Sequence, residues 1–232
     1  TVFTESQTIE ESDRTGSSYK TPYFWFTVWT AANEDLAVEY YSSDPAQTAR
    51  VEDVTLVAIN VEDLITNGDL KYDIQTGGGT LTTTPTAKAS INWTPANDGD
   101  TWWIMAYSQA DIIEVAGDDY LARIDIDGTD RAIQQIQGED ATDTPLYGLG
   151  WVTTLDNSSH TIAVELSEEG PDQEWNAAGI FSLRLNAFAQ FAKDTTAGIG
   201  PNMTVDDQWV EQAGVNPDVS LEGDWLIAAG GI

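Results

Sequence analysis

The chain has no cysteine. That excludes disulfides, thiolate metal sites and a cysteine nucleophile, so stability has to come from packing. Histidine is nearly absent too, with His160 the single one. Zinc sites draw on several His or Cys. A lone histidine beside Ser158 and Ser159, at the start of a strand, reads as a turn residue rather than the base of a Ser-His-Asp set. Basic residues are scarce: nine Lys and Arg stand against 39 Asp and Glu, for a formal charge of −30. Such a surface repels phosphate backbones and anionic bilayers, so neither nucleic acid nor membrane insertion is expected. No apolar run approaches the roughly 18–20 residues of a membrane span, and no charged-then-apolar leader is visible. Long stretches of helical period are missing as well. The best, Val61 to Thr66, is about one turn and reads as loop.

What remains is a chain of strands. Hydrophobic residues make up 41% of it, too many for a disordered chain, and nine Trp offer large apolar area for packing. Tyr23 to Trp29, Leu36 to Tyr41, Val51 to Asn60, Ser90 to Trp93 and Trp102 to Tyr107 are aromatic and β-branched runs. Leu121 to Ile126, Tyr147 to Thr154, Thr161 to Leu166 and Ile180 to Phe188 read alike. Polar turn clusters separate them, among them Asn97-Asp98-Gly99-Asp100, Asp127-Gly128 and Asp156-Asn157-Ser158. Many short strands with polar turns point to an all-β sandwich. The acidic balance keeps a protein soluble but opposes compaction, and salt screens that repulsion. With four Lys in the whole chain, the surface suits seawater or brine, and equally an ordinary acidic phage or secreted protein.

The strands repeat. Thr21-Pro22 returns as Thr144-Pro145, and Ala37-Val38-Glu39 as Ala163-Val164-Glu165. Val57 to Asn60 answers to Leu183 to Asn186, and Gly99-Asp100 with Trp102 to Ala106 answers to Gly223-Asp224 with Trp225 to Ala228. The four matches keep one order at offsets of 123 to 126 positions. A fixed period means two copies of one structural unit. The copy over 90–192 reads as complete, with 67–89 a Gly/Thr-rich connection that has room for one edge strand, and 193–201 a linker. Residues 1–66 lack their opening strand, whose counterpart sits at the far end, so the first unit is expected to be a composite of 1–66 plus 202–232. The C-terminal strand closes it either in cis or from a neighbouring subunit. Short connections within a chain favour closure in cis.

The order of motifs in the middle portion carries a resemblance. Gly99-Asp100 precedes the apolar strand Trp102 to Ala106. The Asp127-Gly128 hairpin, Ser159-His160-Thr161-Ile162 and the closing strand Phe181 to Leu185 follow. This pattern resembles the jelly-roll units of the tumour necrosis factor and complement globular-head superfamily, as found in tandem on phage and bacterial surface proteins. Before His160 the sequence departs from it, with Asn157-Ser158-Ser159 in place of a glycine turn. The resemblance implies two tandem jelly-roll-like β-sandwiches.

Few residues suggest chemistry. Adjacent carboxylates such as Glu168-Glu169 carry no information in so acidic a chain, because a glycosidase needs two carboxyls at a set distance across a cleft. Asp125, Asp127 and Asp130 alternate around the Asp-Gly turn and make the best cation candidate, with calcium the ion they would take, although the closing Glu of an EF-hand loop is missing. The same residues also suit a plain hairpin turn. Strand alternation sends Trp102 and Trp103 to opposite faces, so one of them is expected to leave its own core for a sister unit or neighbour. Trp225, Leu226 and Ile227 form the matching candidate interface at the other end.

No catalytic constellation emerges, so no enzyme is expected. Joined to the resemblance, this gives a structural or assembly protein of a virion or of the extracellular cell surface. The expected role is capsid decoration (cement) or a tail-surface component, with protein subunits, its own or those of a capsid or tail, as partners. Two alternatives stay open. One is an extracellular filament subunit polymerised by exchange of the C-terminal strand. The other is a carbohydrate-binding module that stacks glycans on its aromatic runs.

Overall fold

The computed structural model describes residues 60–111, 119–137, 146–168 and 174–188. It is nearly all strand: β1 Leu70–Thr80, β2 Thr86–Trp93, β3 Asp100–Asp111, β4 Asp119–Ile126, β5 Thr129–Gln137, β6 Leu146–Leu155, β7 His160–Glu168 and β8 Glu174–Arg184. A helical turn, α1 Glu62–Thr66, precedes β1, and a 3-10 turn, Leu185–Ala187, follows β8. The helical turn corrects the loop expected over Val61 to Thr66: the Ile65 N–H donates to the Val61 carbonyl at 3.0 Å and closes one helical turn.

Two antiparallel sheets form, one in the order β1-β8-β3-β6 and the other β2-β7-β4-β5. This is the strand order of an eight-stranded jelly roll. Every connection crosses between the sheets except the β4–β5 hairpin. That hairpin turns on Asp127 and Gly128, with φ of 54° and 77°. Two successive residues at positive φ are what a tight two-residue hairpin needs, and Asp-Gly is a favoured pair for it.

The complete unit is longer than the 90–192 expected. All of β1 and the start of β2 fall in the stretch 67–89 that reads as a connection, and β1 pairs with β8 from Leu70↔Leu183 to Thr80↔Glu174. Three glycines hide the strand. The register shifts between Thr76 and Gly79, where Trp175 lies across the backbone. A Cβ on Gly78 would sit 3.0 Å from the Trp175 carbonyl oxygen, and one on Gly79 3.3 Å from its Nε1. Low strand propensity here is the consequence of close approach by an aromatic neighbour. The composite unit of 1–66 plus 202–232, and with it Trp225, Leu226 and Ile227, lies outside the described residues apart from 60–66.

Between the sheets lies the main core, with Ile91, Trp102, Ile104, Tyr120, Ile124, Ile162, Leu166 and Ile180 all buried. Trp93 meets Trp102 edge-on, their rings 5.3 Å apart at 68°. The β1-β8-β3-β6 sheet is apolar on its outer face too. Leu70, Tyr107, Phe181 and Leu183 are buried there, packed by Val61, Leu64 and Ile65 of the α1 segment and by Ile74, Trp103 and Met105. Tyr72 stacks on Phe181 at 6.0 Å.

Gly179 makes this outer layer fit. A Cβ on it would come within 2.2 Å of Tyr107 Cε1, and Tyr107 is buried. Gly179→Ala should therefore destabilise the fold by about 1–3 kcal/mol through overpacking. Urea denaturation would measure this, and Tyr107→Ala in the same chain should relieve the alanine's effect. Strictly additive losses would show that the ring does not press on this backbone.

Candidate functional site

Among the described residues a dense group of charged side chains sits around the β4–β5 hairpin and the β6–β7 turn. Asp127, at the hairpin tip, is held by β7: its N–H donates to the Thr161 carbonyl at 2.9 Å, and its Oδ1 accepts from the Thr161 N–H at 2.7 Å. Its Oδ2 lies 2.6 Å from His160 Nδ1. The other ring nitrogen, Nε2, lies 3.2 Å from Asp156 Oδ1 and 3.3 Å from the Asp156 carbonyl oxygen. Asp156 is itself fixed by the Ser158 N–H at 2.8 Å. The imidazolium form, with a proton on each nitrogen, satisfies both aspartates.

The electrostatics follow from this arrangement. Burial works to lower the His160 pKa, but the hydrogen bond to Asp127, the Asp156 carbonyl and the charges of both aspartates outweigh it, and the value is raised. For Asp127 burial acts upward, yet the bonds from His160 and Thr161 win and its pKa is lowered. Hydrogen bonds from Ser158 lower that of Asp156.

A pH dependence is expected from these shifts. The raised histidine contributes fully below its unfolded value of 6.5 and stops contributing as pH rises through its folded value. The lowered Asp127 contributes above its unfolded value of 3.8 and stops contributing as pH falls through its folded value. The tie is thus strongest between these limits. Asp127 is largely open to water, so the gain should be about 1 kcal/mol or less. Acidification also relieves the general repulsion of so acidic a chain, and the useful quantity is the difference between the native chain and His160→Gln in about 1 M salt. Melting temperatures should differ most in the weakly acidic window and converge above it. Parallel curves from weakly acidic to alkaline pH would contradict the ionic tie.

The expected cation candidates separate. Oxygens of Asp125, Asp130 and Glu165 lie within 4.8 Å of one another, whereas Asp127 turns away to His160. A cation from the chain itself already stands among them. Arg123 Nη2 and Nε bond Glu165 Oε2 at 2.6 and 2.8 Å, and Nη1 bonds Asp130 Oδ2 at 2.7 Å. Asp125 Oδ1 accepts the Gly128 N–H at 2.8 Å, the ordinary closure of an Asp-Gly turn. Glu165 escapes sequence reading because it faces Arg123 only through the β4–β7 register.

The aromatic candidates separate as well. Trp102 points between the sheets and is 1% exposed. It is a core residue, and the interface role expected for it is corrected: a ring so enclosed can neither meet a neighbour nor stack a sugar. Trp103 points outward and is half-buried against the outer apolar layer. Elsewhere, Lys88 Nζ sits 5.6 Å from the centre of the Trp175 ring. Arg184 joins Asp69 at 2.6 Å and Asp100 at 3.1 Å, binding the end of β8 to the starts of β1 and β3.

No protein-family profile matches the chain, and no curated protein matches it. Among solved structures, a ruminal GH26 endo-β-1,4-mannanase is 20% identical, with a TM-score of 0.28 over 45% of this chain and 19% of that one. The EclA C-terminal domain, a sugar-binding protein, is 15% identical, with a TM-score of 0.31 over 60% of this chain and 89% of that one. The Gt strain of infectious bursal disease virus gives 15% identity and a TM-score of 0.32, over 51% of this chain and 34% of that one. Likeness at this level does not bear on function.

Proposed function

We propose that this chain is a non-enzymatic structural protein that assembles with protein subunits on a virion or cell surface, as a capsid decoration or tail-surface component. The observation that carries the reading is the engagement of its ionisable groups with one another. His160 is spanned by Asp127 and Asp156, Arg123 by Glu165 and Asp130, and Arg184 by Asp69 and Asp100. Among the described residues the partners of both His160 nitrogens are aspartate oxygens, and no hydroxyl stands there as a nucleophile. Groups used in this way rigidify a scaffold. The buried outer layer on the β1-β8-β3-β6 sheet gives such a scaffold a second apolar cluster that stiffens it. Strong acidity fits a surface exposed to saline water, and the resemblance of the motif order to that of the tumour necrosis factor and complement globular-head superfamily fits a surface role.

Light scattering over a range of protein concentrations in about 1 M salt tests this reading. A fixed multiple of the protomer mass is expected. A monomer at every concentration would overturn self-assembly, and a mass that climbs without limit would move the reading to a filament.

A further inference from the structure

A jelly roll of two open sheets has four edge strands, here β1, β6, β2 and β5. Edge strands present unpaired backbone groups, and proteins guard them with charge, proline or bulges. Three of these edges follow that rule. β1 carries Lys71 and Asp73, as well as a bulge at its glycines. β2 carries Lys88 and a register shift beside it. β5 carries Asp130 and Arg131. β6 is different. Its ten residues, LYGLGWVTTL, hold no charge and no proline, in a chain where 21% of residues are charged. Its pairing with β3 runs from Asp100↔Leu155 to Gln109↔Leu146 with no register shift. Among the described residues no strand pairs with its other side. Gly148, Gly150 and Thr154 along it are exposed.

We propose that β6 is a self-association edge, pairing antiparallel with β6 of a second copy so that two four-stranded sheets become one continuous sheet of eight. The occupant follows from charge. Two molecules of charge −30 repel over most of their surfaces, and contact costs least where both are locally neutral. A two-fold axis through β6 places neutral strand on neutral strand and needs only one patch, the economy of an isologous interface. Main-chain hydrogen bonds supply the attraction, as in strand addition. The proposal rests on the assembly reading and narrows it to one strand.

Single cysteines test it cleanly, because the chain has none of its own. Nitroxide labels placed one at a time at Gly148, Gly150 and Thr154 report the distance to the same residue in the partner. In an antiparallel pair that distance grows by roughly 7 Å for each residue away from the axis, since both strands advance about 3.4 Å. A profile with one minimum on β6 is expected, and a label at Asp98, in the exposed β2–β3 turn, should not join it. Gly150→Glu and Thr154→Glu should each raise the dissociation constant at least tenfold, whereas Gln75→Glu on the β1 edge should leave it unchanged. Native urea midpoints for the variants would show that their folds are intact. Added salt should tighten the pair. If an oligomer persists with long distances on β6 and is indifferent to both glutamates, this pairing is wrong while the assembly reading stands. A monomeric mass throughout would overturn this pairing and self-assembly of any kind.

Discussion

Arg184→Met is expected to cost about 3 kcal/mol of folding stability, the lower end of what breaking an enclosed ion pair costs. The guanidinium binds two carboxylates that the fold hides from water: Asp69 and Asp100 are 7% and 9% exposed. Asp69 has the shorter bond, at 2.6 Å, and its hydrogen bond is the main reason the arginine's pKa is raised. Methionine keeps much of the volume and removes the charge, leaving two buried anions with, among the described residues, the Asn97 amide 3.0 Å from Asp100 to help. Urea titration would read the loss. Asp69→Asn with Asp100→Asn in the Arg184→Met chain should recover much of it, because neutral amides do not need the cation. No recovery would mean that the alkyl stem of the arginine, rather than its charge, holds these three segments together.

Trp102→Ala should cost about 3–5 kcal/mol, the range for removing a large aromatic from a closed core. The indole is almost fully enclosed and meets Trp93 edge-on. Its Nε1 has no hydrogen-bond partner, and an enclosed donor left unmatched is itself unfavourable. Phenylalanine removes that donor while keeping an aromatic ring, so Trp102→Phe should lose less than half of what alanine loses. Equal losses for the two would mean that the indole nitrogen is satisfied in solution. Trp103→Ala, on the half-buried outer face, should cost less than Trp102→Ala.

The sequence was readable wherever local chemistry decides the outcome. Asp127-Gly128 announces its hairpin because few residue pairs accept two positive φ values in succession. The alternation of Trp102 and Trp103 announces opposite faces, but not which face is inward. That choice belongs to the opposing sheet, whose Ile91, Ile124 and Ile162 share one buried cluster with Trp102. β1 was not readable as a full strand, because the glycines that let Trp175 lie on it depress strand propensity. The charged site was least readable. His160 finds Asp127 33 positions away, and Arg123 finds Glu165 42 positions away. Both partnerships exist only after β4 and β7 have come into register.

The place of β8 in its sheet has a consequence for how the protein comes into being. Among the described residues the last strand in sequence lies between β1, the first, and β3. A nascent chain still short of residue 174 lacks β8, the only strand partner of β1 among the described residues. The sheet cannot be laid down progressively as the ribosome advances. It must wait for its last strand to emerge and then close around it. The pairing Leu70↔Leu183 spans nearly the whole unit, and such distant contacts fold over milliseconds to seconds rather than microseconds. Until that moment both apolar faces of the unfinished sheet stay open to water, and here the chain's heavy negative charge serves a second purpose, keeping half-made copies apart.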